Sequence, residues 1–208
     1  MEQNLLKTPI HGADYSMALT HLKQNGLVTI QDAHLAAPHS IHNYDQIKDL
    51  LERGAIGLGD IIDLPNCKRS QADKWLRRYE YLATNTNYID GNHEIFSKGH
   101  KTLKVGQKLF THGHHEFYNE KRISRWKQKK IGKNFWRFQI YRLKHLRSGK
   151  NKELKIKPEI LYKLYELCKQ NECTELYIGH THRYLNASYS IKNYGFKIIA
   201  CPRGISLH

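Results

Sequence analysis

Five short motifs of Asp, His and Asn recur in order along this chain, and they constrain it more than anything else in the sequence. They are Asp32-Ala33-His34, Gly59-Asp60-Ile61-Ile62-Asp63, Gly91-Asn92-His93-Glu94, Thr111-His112-Gly113-His114 and Gly179-His180-Thr181-His182. Short apolar runs precede most of them: Leu27-Val28-Thr29-Ile30, Ala55-Ile56-Gly57-Leu58, Tyr88-Ile89, Leu109-Phe110 and Leu176-Tyr177-Ile178. Each run reads as a strand. Open α/β sheets place their ligand chemistry at strand ends. One such motif arises easily by chance; an ordered set of five points to a shared site.

The glycines fit this reading. Gly59, Gly91 and Gly179 precede polar residues at strand ends. A residue without Cβ allows the sharp turn that swings the next side chain inward. Asp32 and His34 are two apart, as are His180 and His182, so on extended chain each pair points to one side. A lone His112 or His180 reads more simply as a hydrogen-bonding or surface histidine. Only the set argues for metal.

Helices fall between the strands. Ser16 to Gln24 reads as a short helix ended by Asn25-Gly26. His39 to Asn43 reads as a loop, with His39 and His42 as loop residues. Asp45 to Arg53 reads as a helix with Ile47, Leu50 and Leu51 on one face and Gly54 just past its end. Ser70-Gln71-Ala72-Asp73 reads as a helix start, followed by Trp75, Leu76, Tyr79 and Leu82 at helical spacing. The alternation through Ile89 predicts a βαβαβ unit with parallel pairing. Pro158 suits the first turn of a helix whose buried face is Ile160, Leu161, Leu164, Leu167 and Cys168. Leu185 to Ile191 and Phe196 to Ala200 read as strands around Asn193-Tyr194-Gly195.

With 208 residues the chain can bury a core as a single domain, 1–208. There is no apolar run of transmembrane length and no signal-peptide pattern. Cys67, Cys168, Cys173 and Cys201 lack CxxC spacing and read as reduced thiols of a cytoplasmic protein. The charge is uneven. Of 34 basic and 19 acidic residues, 15 and one fall between Lys121 and Lys157, leaving 19 and 18 elsewhere. This basic segment, about 119–157, reads as a helical insertion broken near Gly132, with Gly149 to Lys152 a polar turn. It also holds Trp126, Phe135, Trp136, Phe138 and Tyr141. Three readings stay open for it: solvated charges over an apolar face, phosphate contacts with base stacking on nucleic acid, or an amphipathic helix in peripheral membrane contact.

The ordered pattern DxH, GDxxD, GNH[DE], H, GHxH resembles the calcineurin-like metallophosphoesterase superfamily, from Asp32 to His182. The resemblance implies an α/β fold, a four-layer α/β/β/α sandwich with two divalent metal ions between its sheets. Manganese is the first expectation, with iron, zinc, nickel or magnesium as alternatives. By resemblance, Asp32, His34, Asp60 and His182 would hold the first metal, and Asp60, Asn92, His112 and His180 the second, with Asp60 bridging. His114 and His115 adjoin His112, which is preferred because it comes first after the strand. Hydrolysis would proceed by attack of metal-activated hydroxide on phosphorus. His93 would protonate the leaving oxygen, Asp63 would orient His93, and the Asn92 amide would also touch phosphate. Arg183, Arg122 and Arg125 are further expected phosphate contacts, though Arg183 reads equally as a solvated surface residue. Glu94 reads as structural.

No ligand position is missing, which argues against a non-catalytic nucleic-acid or protein binding module. The DxHG and GDxVDRG forms of the superfamily's Ser/Thr phosphatases are absent: Leu35 and Leu64 stand in those places. A helical insertion between the fourth and fifth motifs is similar to that of UDP-2,3-diacylglucosamine pyrophosphatases, but those carry Arg where this chain has His93. The substrate class expected is therefore a phosphate ester, first a phosphodiester of a nucleotide or nucleic acid, with the UDP-linked glycolipid as the alternative.

Overall fold

The computed structural model describes residues 10–11, 13–37, 40–94, 96–118, 121 and 153–208. The expected loop residue His39, most of the basic insertion, and Arg122 and Arg125 within it lie outside the described residues.

Two sheets form. The first has the order β1-β9-β2-β3, with β1 Ile10–His11, β2 Val28–Gln31, β3 Ile56–Gly57 and β9 Gly204–Leu207. The second runs β4-β5-β6-β8-β7, with β4 Thr102–Val105, β5 Lys108–Thr111, β6 Glu175–Ile178, β7 Leu185–Ile191 and β8 Tyr194–Ala200. The described helices are α1 Tyr15–Lys23, α2 Tyr44–Glu52, α3 Ala72–Asn85, α4 His114–Phe117 and α5 Pro158–Gln170.

Three hydrophobic clusters show how these elements stack. One joins α1, α2 and α3 to the first sheet through Ala18, Ile47, Leu50, Tyr79 and Leu82 against Val28 and Ile30. Another joins α5 to the second sheet through Leu164, Tyr165 and Cys168 against Leu176, Phe196 and Ile198. The third lies between the sheets, where Ile56, Leu58 and Ile89 meet Phe110, Tyr177 and Ile199. Three interlayer cores require four layers, helices, sheet, sheet, helix. Each fully buried Leu, Ile or Phe contributes about 1.5–3 kcal/mol, so no layer can leave its partner without exposing a core.

The parallel β2–β3 pair and the parallel Gly57–Tyr88 bridge give the expected βαβαβ start. The expected strand Tyr88-Ile89 is held by single parallel bridges, Tyr88 to Gly57 and Ile89 to His100. Asn43 caps α2 by accepting the Asp45 N–H at 2.8 Å, and Gly54 follows the helix at φ 101°. The α3 start differs from the expectation: Ser70 lies in a 3-10 turn, and Gln71 precedes Ala72 without a side-chain cap. The β7–β8 turn also differs. Ile191 pairs with Tyr194, so the turn residues are Lys192 and Asn193, at φ 49° and 65°, while Gly195 sits inside β8 opposite Ser190. Two left-handed residues match the right-handed twist of a tight hairpin. The far end of the basic insertion belongs to the body: Glu153 bridges Tyr184 and Leu154 is buried against the second sheet.

Among the described residues no helix is long and apolar enough to cross a membrane.

Candidate metal centre

The motif loops meet at one edge of the two sheets and are tied to each other by backbone bonds. Asp32 N–H donates to Gly59 C=O and His34 N–H to Asp60 C=O, both at 3.0 Å. Glu94, buried below them, accepts from Asp60 N–H, Gly91 N–H and Ile62 N–H at 2.8, 2.7 and 2.9 Å, and from Tyr88 OH at 2.8 Å. Burial, then the charge of Asp60, raises Glu94 above the usual carboxyl range, and its hydrogen bonds oppose the rise.

Backbone conformation at the site is unusual. Asp32, His34, Asp60, His180 and His182 have φ of 49°, 49°, 51°, 61° and 52°. Side-chain-bearing residues in this region cost of order 1–3 kcal/mol each and gather at functional sites. The pay-off is direction: each loop turns its side chain toward the others.

Three groups of side chains place ligand atoms within 4.8 Å of one another: Asp32, His34 and His182; Asp60, His112 and His180; and His34, Asp60 and His93. Asp60 falls in two of them, with His112 and His180 in one and with His34 and His93 in the other, and is not in the Asp32 group. Its Oδ2 lies 3.4 Å from His112 Nε2 and 3.8 Å from His93 Nε2, while its Oδ1 accepts the His93 N–H at 2.8 Å. Asn92 Oδ1 is 3.4 Å from His112 Nε2, and His180 Nδ1 is 3.1 Å from the same nitrogen. Asp32 Oδ1 is 3.1 Å from His182 Nε2. Buried carboxylates, imidazoles and one amide oxygen at these separations suit hard-to-borderline divalent cations. The site has His and Asp groups that could hold metal.

Neighbouring groups set the imidazole orientations. His112 Nδ1 donates to Leu58 C=O at 2.7 Å, which turns Nε2 toward Asp60 and Asn92. Asp63 sits between two imidazoles, with Oδ1 2.8 Å from His93 Nδ1 and Oδ2 3.5 Å from His34 Nδ1. Asn66, which sequence reasoning missed, donates its amide to both Asp63 oxygens at 3.0 and 2.9 Å. Asn66 lies beyond the motif, in a 3-10 turn, and carries no pattern that marks it.

The charges are strongly coupled. Burial would raise Asp32, Asp60 and Asp63, but nearby histidines hold all three below the usual carboxylate range. Burial would lower His112, yet Asp60 pushes it up to about 9. Burial, then His112, brings His180 down to about 3 and His114 down to about 2. His114 is buried with its ring 5.3 Å from that of His112, and falls in none of the three groups. Of the two, only His112 falls in such a group.

Arg183 is exposed at the loop end, where its N–H donates to Thr181 Oγ1 at 3.3 Å. Another arginine lies at the site and was not foreseen: Arg203 Nε donates to Asp32 C=O at 2.8 Å. Arg203 follows the last motif by twenty-one positions, so only the fold brings it here.

No family model and no curated protein matches the sequence. Solved structures with a similar fold include a conserved uncharacterised protein, a predicted phosphoesterase, from Streptococcus pneumoniae, at 14% identity and TM-score 0.39, over 86% of this chain and 75% of that one. Vacuolar Protein Sorting 29 from Cryptosporidium parvum gives 11% and 0.38, over 83% and 73%. A cold-active protein-tyrosine phosphatase of a Shewanella species gives 14% and 0.41, over 88% and 74%. In the order of its motifs the chain resembles the calcineurin-like metallophosphoesterases.

Proposed function

We propose that the chain forms one metallophosphoesterase domain over 1–208, with the basic insertion part of it, and that it hydrolyses phosphate esters at a centre of two divalent metals, manganese first. The observation that carries this is the clustering of three adjoining groups, in which His34 links the Asp32 group to Asp60 and Asp60 links on to His112 and His180, with His93 tied to Asp63. Asp32, His34, Asp60 and His182 would hold one metal, and Asp60, Asn92, His112 and His180 the other. When bound, such a pair supplies an acidified water and positive charge against the phosphoryl oxygens. The chain's own residues do the rest. Asp63 fixes the His93 ring through Nδ1, so Nε2 faces the Asp60 side and is the atom that would give a proton to the leaving oxygen. Asn66 holds Asp63 in turn. The Asn92 amide N–H₂ would touch the phosphoryl group.

The substrate class we favour is a phosphodiester of a nucleotide or nucleic acid. His93 supports it over the Arg-bearing glycolipid pyrophosphatases, and so does the mixture of cations and aromatics in 121–157. Arg122, Arg125 and Arg183 would be phosphate contacts. A cytoplasmic location fits four buried cysteines that form no disulfide.

The test is metal dependence. Asp60→Asn should weaken both metal sites and nearly abolish hydrolysis of bis-p-nitrophenyl phosphate, read by elemental analysis and by chelation with manganese add-back. Undiminished hydrolysis by the chelated protein would end this reading. A panel of single- and double-stranded DNA and RNA, cyclic nucleotides, p-nitrophenyl phosphate and UDP-linked lipids then separates the substrate classes.

A further inference from the structure

The chain passes from the second sheet to the first only a few residues before its last strand, and the crossing residues lie against the metal centre. Strand β8 ends at Ala200, opposite Ile178 of the strand that leads to His180 and His182. Strand β9 begins at Gly204, opposite Gln31 of the strand that leads to Asp32 and His34. Cys201, Pro202 and Arg203 therefore span the gap between the two strand ends that carry the first ligand group. The crossing is pinned at several points. Cys201 N–H donates to Ile178 C=O at 2.8 Å, Gln31 Nε2 donates to Pro202 C=O, and Gln31 Nε2 also reaches Ser206 Oγ at 3.0 Å. Gly204, at φ 106°, makes the turn, with His42 3.7 Å from where a Cβ would stand.

That path delivers the Arg203 guanidinium to the backbone of a ligand, with Nε donating to Asp32 C=O at 2.8 Å. Burial lowers His42, and Arg203 lowers it further. A fixed cation beside a group built for a divalent cation is repulsive. The arrangement becomes favourable once an anion lies between the two charges. The planar guanidinium is the side chain best matched to phosphoryl oxygens, and a hydrogen bond at Nε presets its orientation.

We infer that Arg203 is a substrate-binding residue that takes a phosphoryl oxygen at the first-metal end of the site. This deepens the proposed phosphoesterase reading and rests on it for the identity of the anion. No motif and no sequence position marks Arg203; the crossing does.

The test titrates inorganic phosphate into manganese-loaded protein by calorimetry, which needs no turnover. Arg203→Gln should weaken phosphate binding by about 10- to 100-fold, and Arg203→Lys should recover part of the loss. Manganese stoichiometry should be retained, with affinity equal to wild type or higher, because a neighbouring positive charge has gone. With the chromogenic diester, KM should rise. Three results would overturn the inference: unchanged phosphate affinity in Arg203→Gln, loss of manganese from that variant, or a melting temperature that falls in step with its phosphate affinity and is not restored by Lys. If wild type hydrolyses no ester in the panel, the phosphoesterase reading fails, while the phosphate titration still decides whether Arg203 binds the anion.

Discussion

Gly91→Ala isolates how tightly the motif loops pack around Asp60. An added Cβ would stand 2.2 Å from Asp60 Oδ1, 2.4 Å from Asp60 N and 2.8 Å from Asp60 Cγ, whereas real Cβ contacts stay above 3.0 Å. The two loops would have to part by roughly 0.8 Å, an overpacking of the kind that costs about 1–3 kcal/mol. That shift also stretches the Gly91–Glu94 and His93–Asp60 hydrogen bonds, now 2.7 and 2.8 Å. A total of about 3 kcal/mol corresponds to a melting point lower by about 6–12 °C for a chain of this size. Manganese content and hydrolysis should fall with it, because the displaced group is the shared carboxylate. Gly54→Ala is the matched control. Gly54 has φ 101° with no atom within 4 Å of where a Cβ would stand, so Ala there meets backbone strain alone, about 1–2 kcal/mol, and metal content should not change. Differential scanning calorimetry and elemental analysis of both variants decide it. A Gly91→Ala protein that melts with wild type and holds full metal would refute the packing argument.

His93→Ala should keep its metal content but lose about 10²–10⁴-fold in rate with poor leaving groups, and less with p-nitrophenolate; a collapse in metal content would make His93 a ligand instead. Manganese affinity should rise with pH from 7 to about 9 and then level off, because Asp60 holds a proton on His112 up to about 9 that metal must displace. His180, already brought down to about 3 by burial, contributes nothing in that window. Calorimetry in buffers of different ionisation heat should therefore show proton release near pH 7, and none would contradict the assigned ligands. For the basic segment, charge reversal at Arg122, Arg125, Lys129 and Lys130 should spare the small diester but slow a nucleic-acid substrate, whose wild-type binding should weaken steeply with salt. Vesicle binding dependent on Trp126, Trp136 and anionic lipid would point to the glycolipid reading instead.

The candidate site was legible because each proposed ligand travels with its own local signal. A buried strand, a glycine and a polar residue lie together in sequence at Gly59-Asp60 and Gly179-His180, and the structure keeps them together. Long-range features had no such signal. Strand β9 has all four residues buried, so it lacks the alternation that marks a strand with one wet face, and its partners are β1 and β2, far away in the chain. The edge strand β4 is half exposed and short. Arg203 and Asn66 act through side-chain contacts that only the assembled fold creates. The β7–β8 turn shows a different limit. Glycine drew the expected turn toward Gly195, but the cross-strand register placed Lys192 and Asn193 in the left-handed positions.

The position of β9 between β1 and β2 also bears on when the proposed site can form. A nascent chain that has reached His182 already carries every proposed ligand. It lacks β8, which adjoins the strand before His180, and β9, which adjoins the strand before Asp32. Pairing Thr29 with Ser206 closes a loop of nearly the whole polypeptide, and such distant pairings form slowly. Until then β2 has an open edge beside the Asp32 loop. Metal capture at the proposed centre is thus expected to be a late event in folding, completed only after Leu207 has been synthesised and has entered the sheet.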